Sequence, residues 1–265
     1  MADSIKAHKP RMRLALIGTL GAVLVLVVLA ASMMLRLTTA ALSGHALSLL
    51  PDQVENIVRV THRLAASGSA LLAVVAAILC WRGRPLGRGY IAACTIILTL
   101  TVLLTLLGVI SANNRAVAVV TGNVAGGTLL LTAFWWLRVA ARTISQRLFD
   151  GFALAALIAV LAQVTLGAAL SAAPRDALIF IAHATVALLA AMLGLAAAFA
   201  QRHNEKLQGM ALAVFVLIAA QAALGIYLSV DRHTALAWLH GMLAPLLAAG
   251  LLSLAVRGAG ESKIA

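Results

Sequence analysis

The sequence predicts an all-α integral membrane protein, with about eight transmembrane helices arranged as two pseudo-symmetric four-helix bundles. Three observations predict it. Of the 265 residues, 63% are hydrophobic and only 11% charged, whereas soluble domains carry roughly a quarter charged residues. Eight apolar stretches fill the chain, each close to the roughly 20 residues a spanning helix needs. Finally, parts of the second half repeat one another, with a weaker echo in the first.

The spans fall at residues 14–34, 57–80, 90–110, 116–137, 150–170, 177–200, 208–229 and 235–256. Almost nothing is left over for a soluble domain. The first stretch is too long for a cleaved signal peptide, and no small-residue cleavage site follows it. The expected organisation is a cytoplasmic tail at 1–13, an N-terminal bundle at 14–138 and a cytoplasmic linker at 139–149. A C-terminal bundle at 150–256 and a second cytoplasmic tail at 257–265 complete it.

The formal net charge of +12 suggests nucleic acid by its size and excludes it by its distribution. Lys6, Lys9, Arg11 and Arg13 precede the first span, and Arg82, Arg84 and Arg88 separate the second from the third. Arg138, Arg142 and Arg147 lie between the fourth and fifth, Arg202 and Lys206 between the sixth and seventh, and Arg257 and Lys263 after the eighth. The richer side is cytoplasmic by the positive-inside rule. Both ends of an even number of spans then lie there, and the expected setting is the cell inner membrane. The basic excess is a topology signal and a contact with anionic headgroups of the lipid bilayer. Cys80 and Cys94 fall at the cytoplasmic ends of the second and third spans, where thiols are expected to stay reduced.

The repeat gives the chain its chemistry. Residues 163–183 run QVTLGAALSAAPRDALIFIAH and 221–240 run QAALGIYLSVDRHTALAWLH. Gln163, Gly167, Ser171, Arg175 and His183 match Gln221, Gly225, Ser229, Arg232 and His240, with eight residues from Arg to His in both copies. A weaker copy runs Leu107, Gly108, Ser111, Arg115, and Asn123 stands eight residues on, where the other copies carry His. His62 supplies a related polar position in the second span.

Polar groups inside a span are costly and usually functional. His62, His183 and His240 are expected one to two turns in from the outer face, with Asn123 near the same depth. Two imidazoles aimed across a bundle are an axial pair for haem iron, and bundle cores hold cofactors. Gly167, Gly225 and Gly108 precede the ligand helices, where a missing side chain lets a flat macrocycle approach the backbone. Arg175 and Arg232 are shaped to hold haem propionates. Blander readings stand beside these: a lone intramembrane His can simply bond a neighbouring helix, and the arginines can be interfacial anchors. A zinc or copper site would require carboxylates or thiolates converging with the histidines; Asp176 and Asp231 are expected instead to pair with the adjacent arginines.

At these residues the chain resembles the haem A synthase family, over nearly its whole length. The resemblance is carried by THRLAAS at 61–67, RLTTAALS at 36–43, the two Gln-x-x-Leu-Gly elements, and His183 and His240. It implies a haem b held between His183 and His240 as metal ligands in the C-terminal half. It implies haem O as substrate beside His62 in the N-terminal half, with the haem methyl oxidised to a formyl. Haem O synthase and oxidase assembly factors are the partners it implies. The chain departs from the family in carrying Asn123 for a histidine, Arg59 where a carboxylate is usual, and no outer-loop cysteine pair. Glu55, Arg59 and His62 are spaced to share one helix face; Glu55 is a candidate for the missing carboxylate and Arg59 for a propionate partner. Two other readings follow from the departures: a haem b electron-transfer cytochrome, or a non-catalytic haem-handling assembly factor.

Overall fold

The structure, a computed structural model, describes residues 2–42, 52–82, 88–111, 116–142, 147–174, 176–231 and 233–258. Among them are eight α-helices: α1 (Ala2–Leu42), α2 (Asp52–Arg82), α3 (Arg88–Ser111), α4 (Val117–Arg142), α5 (Gly151–Ala172), α6 (Ala177–Ala200), α7 (Gln208–Val230) and α8 (Thr234–Ala255). All eight are long and apolar enough to cross a membrane, and the chain is a multi-pass membrane protein. In hydrocarbon every backbone N–H and C=O must be paired within the segment, and a helix achieves this alone. That is why the apolar stretches and the helices coincide to within two residues in α3 and from α5 onward.

The two longest helices outrun their apolar stretches. α1 continues through polar residues at both ends, and α2 begins at Asp52. Hydropathy marks where lipid begins and says nothing of where helical hydrogen bonding stops. The starts of α5 and α6 are fixed by carboxylates: Asp150 accepts from the Ala153 amide at 2.8 Å and Asp176 from the Ile179 amide at 3.0 Å. Each satisfies one of the amides that open a helix without an intrahelical partner.

Helices α1, α4, α5 and α8 pack against one another at the centre, and α2, α3, α6 and α7 flank them. In the first half α1, α2, α3 and α4 are neighbours in a ring, and α5, α6, α7 and α8 form the matching ring. Two apolar cores result. One is centred on Leu14, Phe134 and Leu137, the other on Val160, Val214, Leu251 and Leu254. Met242 and Ala249 of α8 belong to the first core and Val124 of α4 to the second. The halves are joined by side-chain bonds as well. The Trp135 indole N–H donates to Ser253 Oγ at 2.8 Å, and that of Trp238 donates to the Ala30 carbonyl at 3.0 Å.

Close helix approach in α1 rests on glycine. A Cβ at Gly18 would meet the Phe134 carbonyl oxygen at 2.6 Å and the Arg138 amide nitrogen at 2.7 Å. Small residues let backbones approach where no water drives helices together.

One expectation gains detail and one needs correcting. First, the 139–149 linker carries regular structure: α4 runs on to Arg142, and β1 (Arg147–Phe149) pairs antiparallel with β2 (Val256–Gly258), Leu148 opposite Arg257. The expected tail at 257–265 thus begins as a strand, and three-residue segments are too short to show strand periodicity. Second, Cys80 and Cys94 are joined as a disulfide, with Cα atoms 6.7 Å apart, where reduced thiols were expected. Both are buried, and the α2–α3 hairpin sets them opposite each other.

Candidate functional site

Each repeat copy places its polar residue at the same register. His183 is the seventh residue of α6, His240 the seventh of α8 and Asn123 the seventh of α4. At a rise of about 1.5 Å per residue, each lies roughly 9 Å along its helix. His62 is the eleventh residue of α2, because that helix starts at Asp52; counted from its own helix start it is about a turn further in.

Helices α6 and α8 stand diagonally in their ring and barely touch, as ligand helices on either side of a cofactor must. His183 and His240 are half-buried, as are His62 and Asn123. In the first ring α2 and α4 hold the corresponding diagonal.

The repeat glycines have a different role from the one expected. A Cβ at Gly167 would meet His183 Cε1 at 2.9 Å, and one at Gly225 would meet His240 Cε1 at 3.4 Å. Each imidazole therefore nests against the glycine of the preceding helix, and the space read as clearance for a macrocycle is filled by the imidazole itself. A side chain at Gly108 would meet nothing within 4 Å. The weak copy thus keeps the glycine without the ring that nests on it.

Sequence reasoning noted Gln163 in the repeat and gave it no role. Its backbone carbonyl lies 3.1 Å from His183 Nδ1, and its amide nitrogen 3.5 Å from His183 Nε2. A carbonyl only accepts, so the Nδ1 proton is the donor and Nε2 carries the lone pair. That neutral tautomer is the one that ligates a metal through Nε2, with the second nitrogen anchored to backbone. The invariant first position of both repeat copies was the signal that could have found it. In the other copy, Gln221 Oε1 is buried without a hydrogen-bonding partner. Buried polar atoms are rarely left so, and this acceptor stands at the repeat position of Gln163. Two imidazoles at one register, one of them beside an unsatisfied buried amide oxygen, fit a haem b, whose iron would accept imidazole nitrogen.

The remaining candidates divide. Arg175 and Arg232 lie outside the described residues. Asp176 caps α6, and Asp231 accepts from the Tyr227 hydroxyl at 2.8 Å, so both carboxylates have partners besides the arginines expected for them. Arg59 donates through Nε to Glu55 Oε1 at 2.9 Å, one turn apart on the exposed face of α2. The shared face expected for Glu55, Arg59 and His62 exists at its outer end as an ion pair, so Glu55 and Arg59 are already engaged with each other.

Among the described residues, no three His, Cys, Asp or Glu side chains converge as a metal-binding group. A bis-imidazole haem needs no such group, since the porphyrin supplies the other ligands. A scan against protein-family models finds no match, and no curated protein is significantly similar to the chain.

Proposed function

We propose that the chain is a haem A synthase-like membrane oxidoreductase, resident in the cell inner membrane with both termini in the cytoplasm. The reading rests above all on the matched register of His183 and His240 on diagonal helices, each nested on its repeat glycine. His183 and His240 would hold haem b through Nε2, with Arg175 and Arg232 at its propionates. Bound there, haem b relays electrons. Gln163 keeps His183 in the ligating tautomer by accepting its Nδ1 proton, and the apolar wall around Val164 and Ala168 excludes water.

Haem O is the substrate, held in the N-terminal half beside His62. Converting its methyl group to a formyl replaces two hydrogens with one oxygen, a four-electron oxidation that balances with one dioxygen (R–CH3 and O2 give R–CHO and H2O), so the substrate half would have to admit dioxygen beside the haem O. Asn123 supplies a carboxamide where the repeat has imidazole. A carboxamide ligates haem iron poorly, and one strong ligand with one weak position suits oxygen chemistry. The Glu55–Arg59 pair at the outer end of α2 offers its guanidinium to a propionate and its carboxylate to the proton traffic of the reaction. Haem O synthase and oxidase assembly factors are the partners such an activity calls for.

A second reading is favoured by the same ion pair, because Glu55 and Arg59 are already matched to each other. On that reading the chain is a haem b cytochrome, or a haem-handling assembly factor, whose first half has lost its substrate. Expression in a host that makes haem O but no haem A separates the two. Extracted haems should include hydroxylated haem O or haem A, and His62→Ala should remove them. Haem b alone, with an electron donor supplied, would dispose of the synthase reading in favour of the second.

A further inference from the structure

The groove between the inner ends of α6 and α7 is absorbed by no part of the haem reading. It encloses about 650 Å³ and is walled by Leu195 and Phe199 of α6 and by Leu212 and Phe215 of α7. Alanines 196, 198 and 211 leave it room. Its walls are open to the membrane: Phe199 is 64% exposed, Leu212 63% and Phe215 53%. At one end stand Arg202 and Gln208. The Arg202 guanidinium lies 3.5 Å over the Phe199 ring and donates to the Phe199 carbonyl at 2.9 Å. It is thereby folded back onto the groove and held there.

We propose that this groove binds an anionic phospholipid of the leaflet that faces the chain termini, its phosphate at Arg202 and an acyl chain along the Phe199–Phe215 walls. Three features choose that occupant. The walls are apolar and exposed within a membrane-spanning region, so hydrocarbon covers them. From Gln208 to Phe215 the groove follows α7 for seven residues, about 10 Å, which is most of the roughly 15 Å depth of one leaflet's hydrocarbon. The cation sits just past the helix end, at the level of the headgroups, and no carboxylate is among the residues that line the groove. Basic pockets between helices on this side of a membrane select anionic headgroups. Gln208 offers an amide to a phosphate or glycerol oxygen and carries no opposing charge.

The test uses the full chain, purified in detergent and incubated with an equimolar mixture of phosphatidylglycerol and phosphatidylcholine, with bound lipid read by native mass spectrometry. Wild-type protein should retain phosphatidylglycerol preferentially. Arg202→Gln should cut that preference about fivefold, and Ala211→Phe, which fills the groove without touching charge, should reduce retention of both lipids. Lys206→Gln changes net charge equally but lies off the groove, and its lipid preference should match wild type. Equal retention of the two lipids by wild type would overturn the proposal. So would an equal loss in Lys206→Gln, which would make the preference one of net charge alone. A Phe215→Cys variant that cross-links efficiently to a second copy would replace the lipid with a dimer contact. None of these outcomes depends on whether haem is bound.

Discussion

At the scale of single residues, the contact between glycine and imidazole makes the sharpest predictions. Replacing His183 or His240 with Ala should convert a low-spin haem b spectrum to high-spin or abolish it, since a six-coordinate iron loses a strong-field ligand. An unchanged absorption spectrum in both variants would remove the assignment. The glycines should then rank by clearance. Gly167→Ala puts a Cβ 2.9 Å from His183 Cε1 and must displace the ring, whereas Gly225→Ala leaves 3.4 Å to His240. Overpacking of this kind costs about 1–3 kcal/mol, so Gly167→Ala should lose low-spin haem and Gly225→Ala should keep most of it. The repeat, its register and its histidines were legible in the sequence because spacing survives in one dimension. What filled the space at each glycine was not, because either a ring from the next helix or a flat cofactor satisfies the same spacing. The same limit applied to Gln163, whose useful atom is a backbone carbonyl that every residue type carries. Asp176 was read only beside its sequence neighbour Arg175, while the free amides at the start of α6 also claim its oxygens.

At the scale of helices, α1 and α3 make a controlled comparison. At Gly18 a Cβ would press on backbone atoms of α4, which cannot rotate away. Gly18→Ala should therefore lower thermal stability in detergent, by about 1–3 kcal/mol, despite the helix propensity that Ala brings. Gly108→Ala meets open space and should gain up to about 1 kcal/mol from propensity alone. Thermal unfolding of the two variants side by side checks both; a loss at Gly108 matching that at Gly18 would show that propensity and packing have been misread. The existence and order of the helices were legible because hydrocarbon permits few alternatives. Their ends were less so where helix continues beyond lipid, as at Asp52. The ladder of Arg147–Phe149 with Val256–Gly258 and the Cys80–Cys94 bond join positions that sequence alone does not bring together.

At the scale of the whole molecule, the basic residues predict orientation. Cysteines placed singly at Ser43 and Ser229, in a background without Cys80 and Cys94, should react with an impermeant thiol reagent added outside intact cells. Labelling only after the inner face is opened would invert the topology and move the Arg202 groove to the outer leaflet. The halves are also coupled physically. Trp135–Ser253 and Trp238–Ala30 cross the boundary between the two cores, with Trp238 two residues from His240 on α8 and Ala30 on the helix that packs against α2. A disturbance of the first half thus has a direct mechanical route to the helix that carries His240. Trp238→Phe keeps the ring and deletes the donor, and it should leave haem b bound while shifting its midpoint potential; an unshifted potential would show that this bond only holds the halves together.

The central place of α8 has a consequence for how the protein can vary. Half of its most apolar stretch is buried, 50% against 11% in α6, and it contributes side chains to both cores. Lipid accepts Leu, Ile, Val or Phe with little preference, so the outer spans can drift among apolar residues at low cost, whereas α8 must satisfy neighbours on several sides at once. A saturation-mutagenesis screen scored on membrane abundance should find α6 permissive to apolar exchange and α8 restrictive along nearly its whole length. The descendants of an ancestral half would then diverge fastest at their rims and slowest along this one span.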